Sequence, residues 1–177
     1  MSVATRTVTT VVDRKTDGTV NQPDLLSYSV SHFRLALVRE GDAGTLEDPV
    51  QREPLAHPGD VARFLARLLA EEPGEVMGAL YLDTRNRLLG VTLPYRGTLD
   101  RVAVEPRALL TAGLLMNAAS MIAFHNHPSG DPEPSAEDLS FTRRLCEAGE
   151  VVGLRLVDHM VIGDGGRWTS LKARGGW

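Results

Sequence analysis

The chain has 177 residues, 42% of them hydrophobic and 24% charged, enough to bury a core and to exclude wholesale disorder, collagen, coiled coil and low complexity. No apolar run approaches the ~20 residues of a membrane span. The N-terminus lacks the apolar stretch of a secretory signal, and Cys146 stands alone, so no membrane partner and a cytoplasmic location are expected. The net charge of −4 and the scattered arginines argue against a nucleic-acid partner.

Residues 1–54 are expected to form an N-terminal segment, partly irregular with short strands, ahead of one domain over 55–177. Thr7–Val12 reads as a β-branched strand or a frayed arm, His32–Val38 alternates like a strand, and Gly41–Pro58 is rich in proline and reads as a linker. The first strong element opens at Pro58-Gly-Asp60. Val61, Phe64, Leu65, Leu68 and Leu69 share one helix face, and Pro73-Gly74 is the expected stop. Glu75–Asp83 and Leu88–Leu93 read as strands around a turn at Thr84–Asn86, and Thr98–Val104 as a third. Pro106 starts a helix reaching about Asn117. Met121–Phe124 is a short strand aimed at His125. After a Pro/Gly loop at 128–134, a helix opens at Ser135 and is expected to end at Gly149. Val151–Val157 and His159–Ile162 read as closing strands. This order implies an α/β fold, a mixed sheet with helices on its faces.

The chemistry concentrates in Phe124-His-Asn-His-Pro-Ser-Gly-Asp-Pro-Glu-Pro-Ser-Ala-Glu-Asp138. On a strand, His125 and His127 project to the same face, so both imidazoles can offer a ring nitrogen to one ion. Asp138 follows one turn inside a new helix. A set of two histidines and a carboxylate leaves a fourth position open, as catalytic zinc sites do, and zinc there lowers the pKa of a bound water toward ~7. Two plainer readings compete. A loop histidine pair is often merely exposed, and Ser135-x-x-Asp138 is also a capping box. Neither explains why the pair and the helix start occur together. The contiguous His-Asn-His is not the metal motif of HNH nucleases, whose three residues lie apart.

His125-x-His127, seven residues, Ser135, two residues and Asp138 fit the JAMM signature of MPN-domain metallopeptidases without a gap. The wider text resembles the bacterial RadC-like branch with its JAB-type domain: LYLDTRNRLLG at 80–90, HNHPSGDPEPSAEDLSFTRRL at 125–145 and DHMVIG at 158–163, within about residues 55–177. The resemblance implies a cytidine-deaminase-like MPN (JAB) sandwich. It also implies one Zn2+ per chain on His125, His127 and Asp138, and hydrolysis of an amide or isopeptide bond in a protein or peptide, such as a ubiquitin-like tail. It places an upstream glutamate, matched by Glu75, as general base, with Glu71 and Glu72 as rivals at the end of the preceding helix. Ser135 would assist at the tetrahedral intermediate. Asp158-His159 reads as a structural pair or as support behind the ligands. Cys146 fits a small core residue, His32 and His57 have no partner at ligand spacing, and Trp168 and Trp177 read as packing or tail residues. The helix-hairpin-helix module common in RadC-like proteins has no counterpart in residues 1–54. A zinc-retaining scaffold and a RadC-type, DNA-repair-associated enzyme remain as alternatives.

Overall fold

The structure, a computed structural model, describes residues 54–70, 72–97 and 105–175. The strands expected at Thr7–Val12, His32–Val38 and Thr98–Val104, the segment 1–53, Glu71 and Trp177 lie outside the described residues. The element order is α1 (Pro58–Leu68), β1 (Val76–Leu82), β2 (Leu88–Arg96), α2 (Pro106–Leu115), β3 (Ser120–Asn126), α3 (Ala136–Val152), β4 (Arg155–Ile162), a 3-10 turn and β5 (Trp168–Ser170). The strands form one mixed sheet in the order β2-β1-β3-β4-β5. β3 and β4 are parallel, joined through α3, and the other pairs are antiparallel. This is the α/β arrangement expected. No helix among the described residues is long and apolar enough to cross a membrane.

Alternation along the central strands divides the core in two. Val76, Leu80, Leu82, Ile122, Phe124, Met160 and Ile162 pack with Val61, Leu65 and Leu69 from α1 and its end. Met77, Ala79, Tyr81, Met121, Ala123 and Leu156 pack with Leu109 and Ala112 of α2 and with Phe141 and Leu145 of α3. The sheet is thus sandwiched between α1 on one side and α2 with α3 on the other.

Several expectations need correction. α1 ends at Leu68, before Pro73, with the Leu69 amide closing on Leu65 O. β2 runs on through Pro94 to Arg96, which its edge position permits, because an edge strand can lose one amide donor. α3 does not stop at Gly149 but continues to Val152. Gly149 is needed inside the helix, since a Cβ there would stand 2.5 Å from Leu154 O. The stop is Gly153 at φ 75°, with Leu154 N donating to Gly149 O at 2.9 Å, a Schellman cap. The two closing strands expected at Val151–Val157 and His159–Ile162 are the end of α3 and one strand, β4. Its pairing with β3 steps from Met121↔Leu156 to Ile122↔Asp158. Val157 is therefore a bulge, and the bulge reverses the facing of every later residue on β4.

Candidate metal centre

The site lies at the carboxyl end of β3, where α3 begins, the usual place for ligands in open α/β sheets. His125 and His127 face α3 as β3 alternates, and their Nε2 atoms stand 3.0 Å apart. Asp138 is the third residue of α3. Its Oδ1 lies 3.2 Å from His125 Nε2 and its Oδ2 3.6 Å from His127 Nε2. Glu75, just ahead of β1, completes the group. It, His125 and His127 each offer a ligand atom within 4.8 Å of the others. The structure thus brings His125 and His127 together with Asp138 and also with Glu75. Glu72, one of the two rivals, instead ion-pairs with Arg96 at 2.6 Å and is no exposed helix-end charge, because its side chain is 7% exposed.

Ser135 is the N-cap of α3. Its hydroxyl accepts from Asp138 N at 3.1 Å and donates to Asp138 Oδ2 at 2.7 Å, and Ser135 N donates to the same oxygen at 2.7 Å. The capping box is real, and it fixes the Asp138 carboxylate. Burial pushes that carboxyl up. The hydrogen bond and charge of His125, then the two Ser135 bonds, outweigh burial and hold it well below the usual carboxylate range.

The tautomers follow from the outer partners. His127 Nδ1 lies 2.8 Å from Asp131 O. A carbonyl only accepts, so Nδ1 carries the proton and Nε2 a lone pair. Thr142 Oγ1 donates to Asp138 O at 2.6 Å, which uses its single proton, so it accepts from His159 Nδ1 at 2.6 Å. His159 Nε2 is then an acceptor for His125 Nδ1–H at 2.9 Å, which leaves His125 Nε2 to serve the centre, either as a lone pair toward an ion or as an N–H toward Asp138 Oδ1 at 3.2 Å. His159 is fully buried, and desolvation, followed by the charge of His125, drives its pKa well below the usual histidine range, which keeps it neutral. Two imidazole Nε2 atoms and a carboxylate therefore face one another, an arrangement that calls for a positive charge at the centre. A proton on one ring meets part of that demand. A divalent ion bound by nitrogen and carboxylate meets all of it, and the donor set fits zinc.

Asp158 and His159 therefore part company. His159 stands behind His125, brought to that face by the Val157 bulge. Asp158 accepts from Ser170 Oγ at 2.6 Å and from Lys172 N at 3.2 Å, holding the C-terminal turn. Thr142 carried no sequence signal beyond its place one turn after Asp138. Cys146 is half-buried against the α3-side core, with burial and then Glu150 and Glu147 pushing its thiol up. His57 caps α1 without a side-chain bond. Beside His127, a cleft of about 370 Å³ runs between Leu69, Glu72, Pro73, Asn126, Asp164 and Gly166.

Comparison with known proteins agrees with the signature in the sequence. Residues 55–176 match the family described as RadC-like JAB domain. A UPF0758 protein of Halorhodospira halophila is 47% identical over 131 residues, 73% of this chain and 58% of the relative. A UPF0758 protein of Marinobacter nauticus is 47% identical with the same coverage. A UPF0758 protein of Xanthomonas campestris pv. campestris is 38% identical over 165 residues, 93% of this chain and 72% of the relative. The chain thus spans a little over half the length of the first two.

Proposed function

The chain belongs to the RadC-like JAB-domain family, and from that premise we propose that it is a zinc-dependent metallopeptidase hydrolysing an amide or isopeptide bond in a protein or peptide, such as a ubiquitin-like tail. The observation that carries the reading is the convergence of His125 Nε2, His127 Nε2 and the Asp138 carboxylate, three potential ligands within 3.0–3.6 Å of one another. These three would hold one zinc ion. Bound there, zinc supplies Lewis acidity and makes water a nucleophile near neutral pH.

The remaining work falls to side chains. The Glu75 side chain makes no hydrogen bond or ion pair among the described residues, so its carboxylate is available as a base. It takes a proton from the attacking water and passes it to the departing nitrogen. Ser135 can turn its hydroxyl toward the developing oxyanion, giving up one of the two hydrogen bonds on Asp138 Oδ2 as it does so. The cleft beside His127 gives an extended peptide a path to the centre.

A scaffold reading has one observation in its favour. Glu75 stands near enough to the histidines to close the fourth position, as structural zinc sites do. Elemental analysis with and without chelator, followed by peptide, isopeptide and DNA cleavage assays, separates the readings. The expected result is about one zinc per chain, with peptide-bond cleavage lost on chelation and restored by zinc. Protein purified in zinc buffer that holds no metal would overturn the proposal. So would metal-dependent DNA cleavage that disappears in His127→Ala.

A further inference from the structure

The middle residue of His125-Asn126-His127 has no place in the ligand set, and alternation turns it away from both histidines, toward the α1 side of the sheet. Both ends of its amide are nevertheless engaged. Asn126 Oδ1 accepts from Val76 N at 2.8 Å, and Asn126 Nδ2 donates to Gly74 O at 3.1 Å. Glu75 lies between those two backbone groups. The β1–β3 ladder pairs Met77 with His125 and goes no further toward the N-terminus of β1, so the amide of Asn126 continues it where the backbone no longer does. On the other side, Gly97 N donates to Glu75 O at 2.9 Å. The backbone around Glu75 is thereby pinned, two of these three hydrogen bonds coming from a side chain on the ligand-bearing strand.

We propose that Asn126 is a positioning residue: its side-chain amide clamps Gly74 and Val76 and so sets where the Glu75 carboxylate stands relative to His125 and His127. One tripeptide then supplies both histidine ligands and the tether of the base. Movement of β3 carries Glu75 with it, and the distance between base and ion does not depend on the short chain from α1 to β1. The inference rests on the peptidase reading for its effect on turnover, and on geometry alone for the clamp.

The test uses the full zinc-loaded chain as parent, Asn126→Ala, Asn126→Asp, Glu75→Gln and the double variant Asn126→Ala/Glu75→Gln. Four quantities are measured. They are zinc content, hydrogen exchange at the Val76 amide, the crystallographic position of the Glu75 carboxylate, and kcat and KM on a fluorogenic isopeptide or peptide that the parent cleaves. Asn126→Ala should keep its zinc, exchange faster at Val76 and displace Glu75. Its kcat should fall about 10²-fold, the penalty for a misplacement near 1 Å, with KM little changed. Asn126→Asp retains the acceptor for Val76 N, so exchange there stays near parental, and the variant guards against simple misfolding. In the Glu75→Gln background the alanine change should add almost nothing to the loss in kcat, since both act through one group.

Normal Val76 exchange with an unmoved Glu75 in Asn126→Ala overturns the clamp. Loss of zinc in that variant also overturns it, because Asn126 would then support the ligands. So does an additive loss in the double variant. A parent that cleaves nothing, with Glu75 displaced and Val76 exposed in Asn126→Ala, sinks the peptidase reading and leaves the clamp standing. An active parent with an equally active Asn126→Ala does the reverse.

Discussion

On the α1 side of the sheet, Leu65, Leu80, Phe124 and Met160 are fully buried in a wholly apolar cluster. On the α3 side, His125, His159 and Thr142 are buried just as completely, yet they are linked to one another by hydrogen bonds. The two faces share a backbone and a level of dryness and respond to substitution in opposite ways. The apolar cluster is sensitive to volume and, the Asn126 amide at its edge aside, holds no hydrogen-bonding group whose identity matters. The polar face is sensitive to each donor and acceptor, because removing one partner strands the other in a medium without water.

The largest effect that tests this contrast is at the mouth of the polar face. Glu75→Gln preserves size and should lower kcat by about 10²–10⁴ while zinc content and melting temperature hold. Glu72→Gln, which breaks the Arg96 pair in the cleft wall without reaching the histidines, should leave kcat within a few-fold, any larger change falling on KM. Loss of zinc in Glu75→Gln would make Glu75 a ligand and favour the scaffold. Next comes the apolar face. Leu65→Ala should cost about 2–5 kcal/mol by urea unfolding, and Leu65→Met under about 1.5, with zinc stoichiometry of the folded fraction intact in both. A Leu65→Ala protein that folds normally but binds zinc poorly would show the faces to be coupled.

A smaller effect lies behind the ligands. His159→Phe keeps an aromatic ring beside Phe141 but leaves His125 Nδ1–H without its acceptor. Competition titration should then show zinc affinity about 10–100-fold weaker. Parental affinity in this variant would refute the tautomer assignment.

The smallest is a pH effect on the chelated protein. The His159 pKa is depressed in the fold, so the native state declines a proton that the unfolded chain takes up below the ordinary value of 6.5. The stability this contributes is whole above pH 6.5 and is lost as pH falls toward the folded value. The slope approaches about 1.4 kcal/mol per pH unit. Denaturant midpoints between pH 7 and 5 should follow this slope in the parent and flatten in His159→Phe.

What was legible in the sequence was local. Two histidines one residue apart on a strand, and an aspartate at the third position of a capped helix, are set by alternation and capping, which a short window contains. Most elements were legible for the same reason. His159 was harder, because its facing depends on the Val157 bulge. The bulge breaks alternation at the point where a strand boundary between Val157 and His159 was expected, and only the pairing with β3 tells the two apart. Gly149 and Gly153 were equally plausible helix stops by residue type. The close approach of Leu154 decides between them, and that contact is tertiary. β5 has three residues, too few for any period to register. Asn126 was read only as part of a string, since its partners are fifty residues upstream.

The contacts from the Asp138 carboxylate to His125, on to His159, to Thr142 and back to the Asp138 carbonyl close into a ring. Apolar packing alone would let α3 slide or roll against the sheet at little penalty. The ring admits one register, because Asp138 and Thr142 engage it together one helical turn apart. A shift of α3 by a single residue, a rise of 1.5 Å and a turn of about 100°, would break both at once. The helix is keyed to the strands like a shaft in a slotted hub, and the loop joining β3 to α3 does not have to set the spacing between Asp138 and His125.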